Sequence, residues 1–183
     1  IIIIIAEYSS SKIMTNPIII LGSSRTFGET RKVIDSIIGN NKIPIIDLKS
    51  LDISIYDYDH YNKDDDFIPL MEKIITHDLI VLATPVYWYT MSATMKIFLD
   101  RLTDLLDIRK DLGRKLYGKK VFIISSLASN LLPQGFDYPF WQTAEYLKME
   151  YKGCIFISSS PNPECKKNNE LEIQKARAVL FKS

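Results

Sequence analysis

The 183-residue chain (21.1 kDa) is 46% hydrophobic, 25% charged and 11% aromatic, which suits one globular domain and excludes a disordered or collagen-like chain. Twenty-three Lys and Arg against 22 Asp and Glu leave a formal charge of +1, so no global field points at nucleic acid or an anionic membrane. Two cysteines, Cys154 and Cys165, cannot make a disulfide framework or a four-ligand zinc site, and what remains is a globular domain of the cytoplasmic kind.

Residues 1–5 are consecutive isoleucines, far short of the roughly 20 residues a bilayer takes. No basic leader precedes them, as a secretory signal would need. Met14 stands just before the first strand pattern and reads as the native start. Residues 1–13 then read as a tag, linker or upstream extension, with an added edge strand as the alternative. Residues 14–183 read as a single domain.

Five apolar runs follow: residues 17–21 (PIIIL), 43–48 (IPIIDL), 79–83 (LIVLA), 120–124 (KVFII) and 154–158 (CIFIS). Several are apolar on both faces, as strands of a parallel sheet covered on both sides must be. Helical spacing recurs between them. Val33, Ile34, Ile37 and Ile38 share a face in residues 30–38, and Leu70, Met71, Ile74 and Ile75 do so in 67–75. Residues 91–106 carry one long stripe through Met95, Phe98, Leu99, Leu102, Leu105 and Leu106. Residues 143–149 and 171–181 complete the set. Strand and helix thus alternate five times, which predicts an α/β doubly wound five-stranded parallel sheet in a three-layer α/β/α sandwich. Ligands of such sheets bind at the carboxyl ends of the strands, where the strand order reverses.

The first of those ends is Gly22-Ser-Ser-Arg-Thr-Phe-Gly-Glu-Thr30, hydroxyls and an arginine before a helix start. A helix N-terminus presents unpaired N–H groups and partial positive charge, which suits a phosphate. Ser23, Ser24, Thr26 and Thr30 offer hydroxyls and Arg25 a guanidinium. An ordinary capped turn uses the same residue types. The loop has neither G-x-x-x-x-G-K-[ST] nor G-x-G-x-x-G, against triphosphate hydrolysis and Rossmann dinucleotide binding.

After the third strand the chain reads Thr84-Pro-Val-Tyr-Trp-Tyr-Thr-Met91. Three aromatics at a strand end suit a planar ring, and equally a dimer patch. Together the two loops describe a ligand with a phosphate tail and a flat head, as flavin mononucleotide (FMN) has. Elsewhere the chemistry is thin. His60 and His77 are isolated, His77 at a helix end. Asp64, Asp65 and Asp66 read as a solvated helix start rather than a metal site. Cys154 falls in a buried strand and Cys165 in an exposed loop. Tyr138, Phe140 and Trp141 form a second aromatic group, read as a dimer seam or a cover for the ligand.

The sequence resembles the NADPH-dependent FMN reductase family, which has a flavodoxin-like fold. GSSRTFGET is similar to that family's phosphate loop, and TPVYWYTMSATMKIFLDRL to its flavin-ring loop and following helix, with Pro85, Tyr87, Lys96, Phe98 and Asp100 at the pattern positions. The resemblance implies that Ser23, Arg25, Gly28, Glu29 and Thr30 surround the phosphate. It implies that Pro85, Val86, Tyr87, Trp88 and Tyr89 line the ring, and that the segment from Ser126 to Asn130 closes its other side. Glu29 departs from the Asn of many relatives. Either its carboxylate turns outward or FMN binds weakly. The implied activity is FMN-dependent NAD(P)H oxidoreduction, with NADPH or NADH as cosubstrate and a quinone, azo compound, nitroaromatic or flavin as acceptor. The chemistry then belongs to the flavin, with no catalytic side chain and no metal. Arg109, Lys110, Arg114 and Lys115 are candidates for a 2′-phosphate or a plain solvated surface. A homodimer or homotetramer is expected, with no nucleic-acid or membrane partner. The rivals are a flavodoxin-like electron carrier, which would tend to be acidic, and a cofactor-free interaction protein.

Overall fold

The computed structural model describes residues 15–181, so the expectation for residues 1–13 lies outside it. The strands are β1 (Pro17–Leu21), β2 (Ile45–Asp47), β3 (Leu79–Pro85), β4 (Lys120–Leu127) and β5 (Glu150–Ser158). They form one parallel sheet of order β2-β1-β3-β4-β5, the flavodoxin-like order. The helices are α1 (Glu29–Ile38), α2 (Phe67–Ile74), α3 (Ala93–Asp100), α4 (Asp104–Asp107), α5 (Lys110–Arg114), α6 (Tyr138–Tyr146) and α7 (Pro163–Leu180).

Both sheet faces are covered, which is why the central strands are apolar throughout; all seven residues of β3 are buried. One core cluster joins the sheet to α2–α6, and the other joins it to α1 and α7. α1 shows why the pattern works, since its Val33, Ile34, Ile37 and Ile38 are buried while the intervening charges face water. Among the described residues no helix is long and apolar enough to cross a membrane.

Several elements differ from the expectation. The stripe over residues 91–106 is divided into α3, a 3₁₀ turn at Arg101–Thr103, and α4. β5 begins at Glu150, because the edge strand tolerates the polar Glu150 and Lys152 and carries an irregularity near Gly153, whose φ is 99°. α6 starts at Tyr138, ahead of the expected 143. α7 starts at Pro163, so Cys165 is not in an exposed loop: it is buried in the helix's first turn, its Sγ 3.1 Å from Asn130 Oδ1. Cys154 is half-buried on β5, and burial pushes its thiol up to about 12, which keeps it inert.

Of the three aspartates only Asp64 is exposed; Asp65 and Asp66 are tied into the structure. Asp65 accepts hydrogen bonds from both terminal nitrogens of Arg101, from Phe67 N (2.9 Å) and from Ser54 N (3.0 Å). Asp66 accepts from Asp52 N at 2.8 Å, closing the loop that runs from β2 back to α2. Burial alone would raise the Asp65 carboxyl, but Arg101 and the two backbone donors outweigh it and hold it below the usual carboxylate range. A depressed folded-state pKa contributes stability that is present above the unfolded value of 3.8 and lost as pH falls through the folded value. Urea unfolding of the wild type and Asp65→Asn should therefore show a stability gap at pH 7 that narrows steadily below about pH 4. A gap independent of pH would mean that the Asp65 charge contributes nothing.

Candidate functional site

The strand order reverses between β1 and β3, and the loops leaving β1, β3, β4 and β5 meet there. β1 hands over through Gly22, whose N–H continues the ladder to Ala83 O at 2.8 Å. α3 lies so close that a Cβ on Gly22 would sit 2.8 Å from Met95 Cβ. Ser92 fixes that approach. Its Oγ accepts from Met95 N, donates to Gly22 O at 2.7 Å, and its own N–H donates to Thr84 Oγ1 at 3.1 Å. One serine thus caps α3 and ties the first loop to the third strand.

α1 begins after Gly28, which has no side chain to cap it. The N–H groups of Glu29, Thr30 and Arg31 have no partner among the described residues and open toward the loop. Ser23 is buried, and its Oγ accepts from Arg25 N at 3.3 Å, leaving the hydroxyl proton unspent. Thr30 and Ser126 share one hydrogen bond at 2.7 Å, so one of their two hydroxyl protons is also unspent. The Glu29 carboxylate lies along the helix against Lys32 Nζ at 2.6 Å. Donors therefore gather here around one acid, Glu29, whose carboxylate is paired with Lys32.

A cleft of about 350 Å³ is bounded by Ser23, Arg25, Gly28, Glu29, Thr30, Pro85, Val86, Tyr87 and Ser126, nine of the eleven residues singled out in the sequence. Val86 N donates to Ser126 O at 2.9 Å, extending the sheet by one rung, and Ser126 sits on β4 rather than in the loop after it. Trp88 and Tyr89 are not in the cleft. They are the central pair of a two-residue turn closed by Tyr87 and Thr90, with φ of 46° and 70°, and stand 91% and 75% exposed. That is the type I′ geometry usually given to Asn-Gly, and a large side chain in each left-handed position carries strain of roughly 1–2 kcal/mol. Only Tyr87 turns back, its hydroxyl 2.8 Å from Ser24 Oγ across the cleft mouth. Ser159 also lines the cleft, with its N–H bonded to Leu127 O. The run Ser158-Ser-Ser160 after the last strand was its signal in the sequence.

The NADPH-dependent FMN reductase family model matches residues 15–159. Over 95 residues the chain is 30% identical to YwqN of Bacillus subtilis (strain 168), described as an NAD(P)H-dependent FMN-containing oxidoreductase; the match covers 50% of this chain and 52% of that protein. The chain thus spans about half the length of the curated relative it matches. Among solved structures, the Trp repressor binding protein of Bacillus subtilis superposes with a TM-score of 0.71 at 21% identity, over 91% of this chain and 99% of that one. General stress protein 14 of Treponema denticola, solved with FMN, gives 0.62 at 18% identity over 90% and 97%. At those identities the structures establish the fold alone, and the family assignment rests on the sequence match. The chain belongs to the NADPH-dependent FMN reductase family.

Proposed function

We propose that this chain is an FMN-dependent NAD(P)H oxidoreductase whose flavin occupies the cleft at the end of β1, β3 and β4. The observation that carries the reading is the donor set: free N–H groups at α1, unspent hydroxyl protons on Ser23 and the Thr30–Ser126 pair, and the Arg25 guanidinium on the same cleft. Such a set fits a phosphate dianion. The exposed pairing of Glu29 with Lys32 offsets part of the repulsion its sequence position suggested. Pro85, Val86 and Tyr87 supply the wall for a flat ring. Trp88 and Tyr89 stand at the rim, where an acceptor or a second protomer of a homodimer or homotetramer would meet them.

Bound FMN would take hydride from NADPH or NADH and return electrons to a quinone, azo, nitroaromatic or free flavin acceptor. The chain's residues bind and orient. Arg25, Ser23 and the start of α1 hold the phosphate end. Around the turn after β3 the N–H groups of Val86, Tyr87 and Thr90 are already bonded to backbone carbonyls, so Trp88 N–H and Tyr89 N–H are the ones left to meet negative charge developing on the ring. The name of the Bacillus subtilis relative and the FMN in the Treponema denticola structure support the cofactor.

The test is a visible spectrum of the protein incubated with FMN, desalted, and then mixed with NADPH or NADH without oxygen. A retained flavin band that bleaches supports the proposal. A band that neither nucleotide bleaches rejects the oxidoreductase, and failure to bind FMN in a titration rejects the site. Arg25→Ala should lower FMN affinity about tenfold, roughly one charge-assisted hydrogen bond. Unchanged affinity would remove Arg25 from the phosphate site.

A further inference from the structure

Of the four cations singled out in the sequence, Arg109 is already spent, pairing with Asp111 and Glu72 at 3.0 Å. Those partners raise its pKa further. Lys110 and Arg114 are not spent. They stand one helical turn apart on α5, a like-charge spacing that weakens a helix by itself. Both line a groove of about 510 Å³ whose floor is Leu105, Leu106 and Leu147. A third cation, Lys148, also lines it, together with the exposed Tyr117 and Tyr146. Among the described residues none of these three cations has an ion-pair or side-chain hydrogen-bond partner, and no acid lines the groove. Glu145 lies on the neighbouring groove between α3 and α6.

Lys148 carries a second, independent mark. It follows the end of α6 with φ of 55°, the left-handed position where a helix normally places glycine. Its carbonyl accepts from Gly118 N at 2.9 Å, so the backbone there is held in place by the start of β4. A lysine where glycine would relax the chain, on the same groove as two other unpaired cations, points to a function for that side chain. The wall opposite is equally fixed. A Cβ on Gly113 would lie 2.4 Å from Leu105 O, so α5 is pressed onto the end of α4 and its two cations cannot drift apart by helix movement.

We propose that this groove is a second ligand site and that it takes a nucleoside phosphate. A phosphate brings two negative charges and several acceptor oxygens to the three cations. A base brings a flat face to the two tyrosine rings. The groove is at the amino edge of the sheet, the length of β4 away from the cleft, which is about 23 Å for eight residues. It is therefore separate from the flavin cleft, and it stands whether or not that cleft binds FMN.

The experiment is calorimetric titration of the full chain, in excess FMN and low salt, with adenosine monophosphate, adenosine and inorganic phosphate. Adenosine monophosphate should bind at least tenfold more tightly than either half alone, and more weakly as salt rises. Lys148→Gly should weaken it at least tenfold while leaving the thermal midpoint unchanged or higher. Arg25→Ala, in the other site, should leave adenosine monophosphate binding as it is. Absence of binding, or wild-type affinity in Lys148→Gly, overturns the proposal. A loss confined to Arg25→Ala places the nucleotide in the cleft and overturns it as well. Inorganic phosphate binding as tightly as the nucleotide overturns the aromatic half.

Discussion

Arg101→Met should lose about 3–5 kcal/mol of unfolding free energy, the range expected when one partner of a buried charge pair is removed. Arg101 is fully buried, an unusual place for a guanidinium. Its Nε donates to Asp104 Oδ2 at 2.8 Å, its terminal nitrogens hold Asp65, and further bonds reach Ser54 O (3.1 Å) and Asn62 O (3.4 Å). The same plane lies 4.8 Å from the centre of the Phe67 ring. Asp104, itself buried, also meets His60 Nδ1 at 3.1 Å, so His60 is not isolated but the outermost member of this group. Methionine fills much of the volume but leaves two buried carboxylates, Asp65 and Asp104, without their cation.

The physical content of that prediction lies in the partners' charges, and a second variant separates it from lost packing. Adding Asp65→Asn and Asp104→Asn to Arg101→Met removes both stranded charges and should recover a large part of the loss, because buried ion pairs replaced whole are often close to neutral. Arg101→Lys should fall between, keeping the charge but losing the fork that serves Asp65 and Asp104 together. Urea unfolding at pH 7 reads all three. Failure of the triple variant to recover would show that shape, not charge, is what Arg101 supplies.

This network is also where the sequence is least legible. Arg101 sits in a helical pattern whose polar positions read as solvent-facing, and its partners Asp65 and Ser54 are 36 and 47 residues earlier. Periodicity reports which face of a segment is apolar; it carries nothing about a distant loop returning to cover the polar face. The sheet was legible for the opposite reason. A strand buried on both faces, such as 79-LIVLATP-85, has no polar alternative and announces itself locally. In the first loop Ser23, Arg25, Gly28, Glu29 and Thr30 are nearly contiguous in sequence; Pro85, Val86, Tyr87 and Ser126, which only the family resemblance ties to them, line the same cleft because the parallel sheet brings the strand ends together. Aromatic residue type and the family resemblance both group Trp88 and Tyr89 with them, yet neither lines the cleft. Which way they face is set by the left-handed turn that rotates both outward, and nothing in Tyr-Trp-Tyr-Thr announces a turn usually made by Asn-Gly. Cys165 differs, because Asn162-Pro163 ahead of it is a helix-start signal in the sequence itself: Asn162 Oδ1 accepts from Glu164 N at 2.9 Å and caps α7.

Gly22→Ala should damage stability and FMN binding together. Its added methyl would lie 2.8 Å from Met95 Cβ and Cε and 3.1 Å from Met95 Cα, inside the distance side chains tolerate. Relief requires β1's exit and α3 to separate, which costs about 1–3 kcal/mol as overpacking does. The separation stretches the 2.7 Å bond from Ser92 Oγ to Gly22 O, and Ser92 is the link between the first loop, Thr84 and the start of α3. FMN affinity should accordingly fall by tenfold or more, since the phosphate end and the ring wall hang from the two sides of that link. Truncating Met95 to Ala removes the Cε clash but leaves Cβ, so the double variant should recover only part of either loss. Gly39→Ala is the contrast: a Cβ there meets nothing within 4 Å, and φ is 55° at the end of α1. With ψ at −126° it lies outside the left-handed helical region, so alanine should cost about 1–3 kcal/mol through backbone strain and leave FMN affinity unchanged. Equal losses of FMN affinity in the two variants, read by thermal unfolding and flavin titration side by side, would mean that general destabilisation and not the Gly22–Met95 approach governs the cleft.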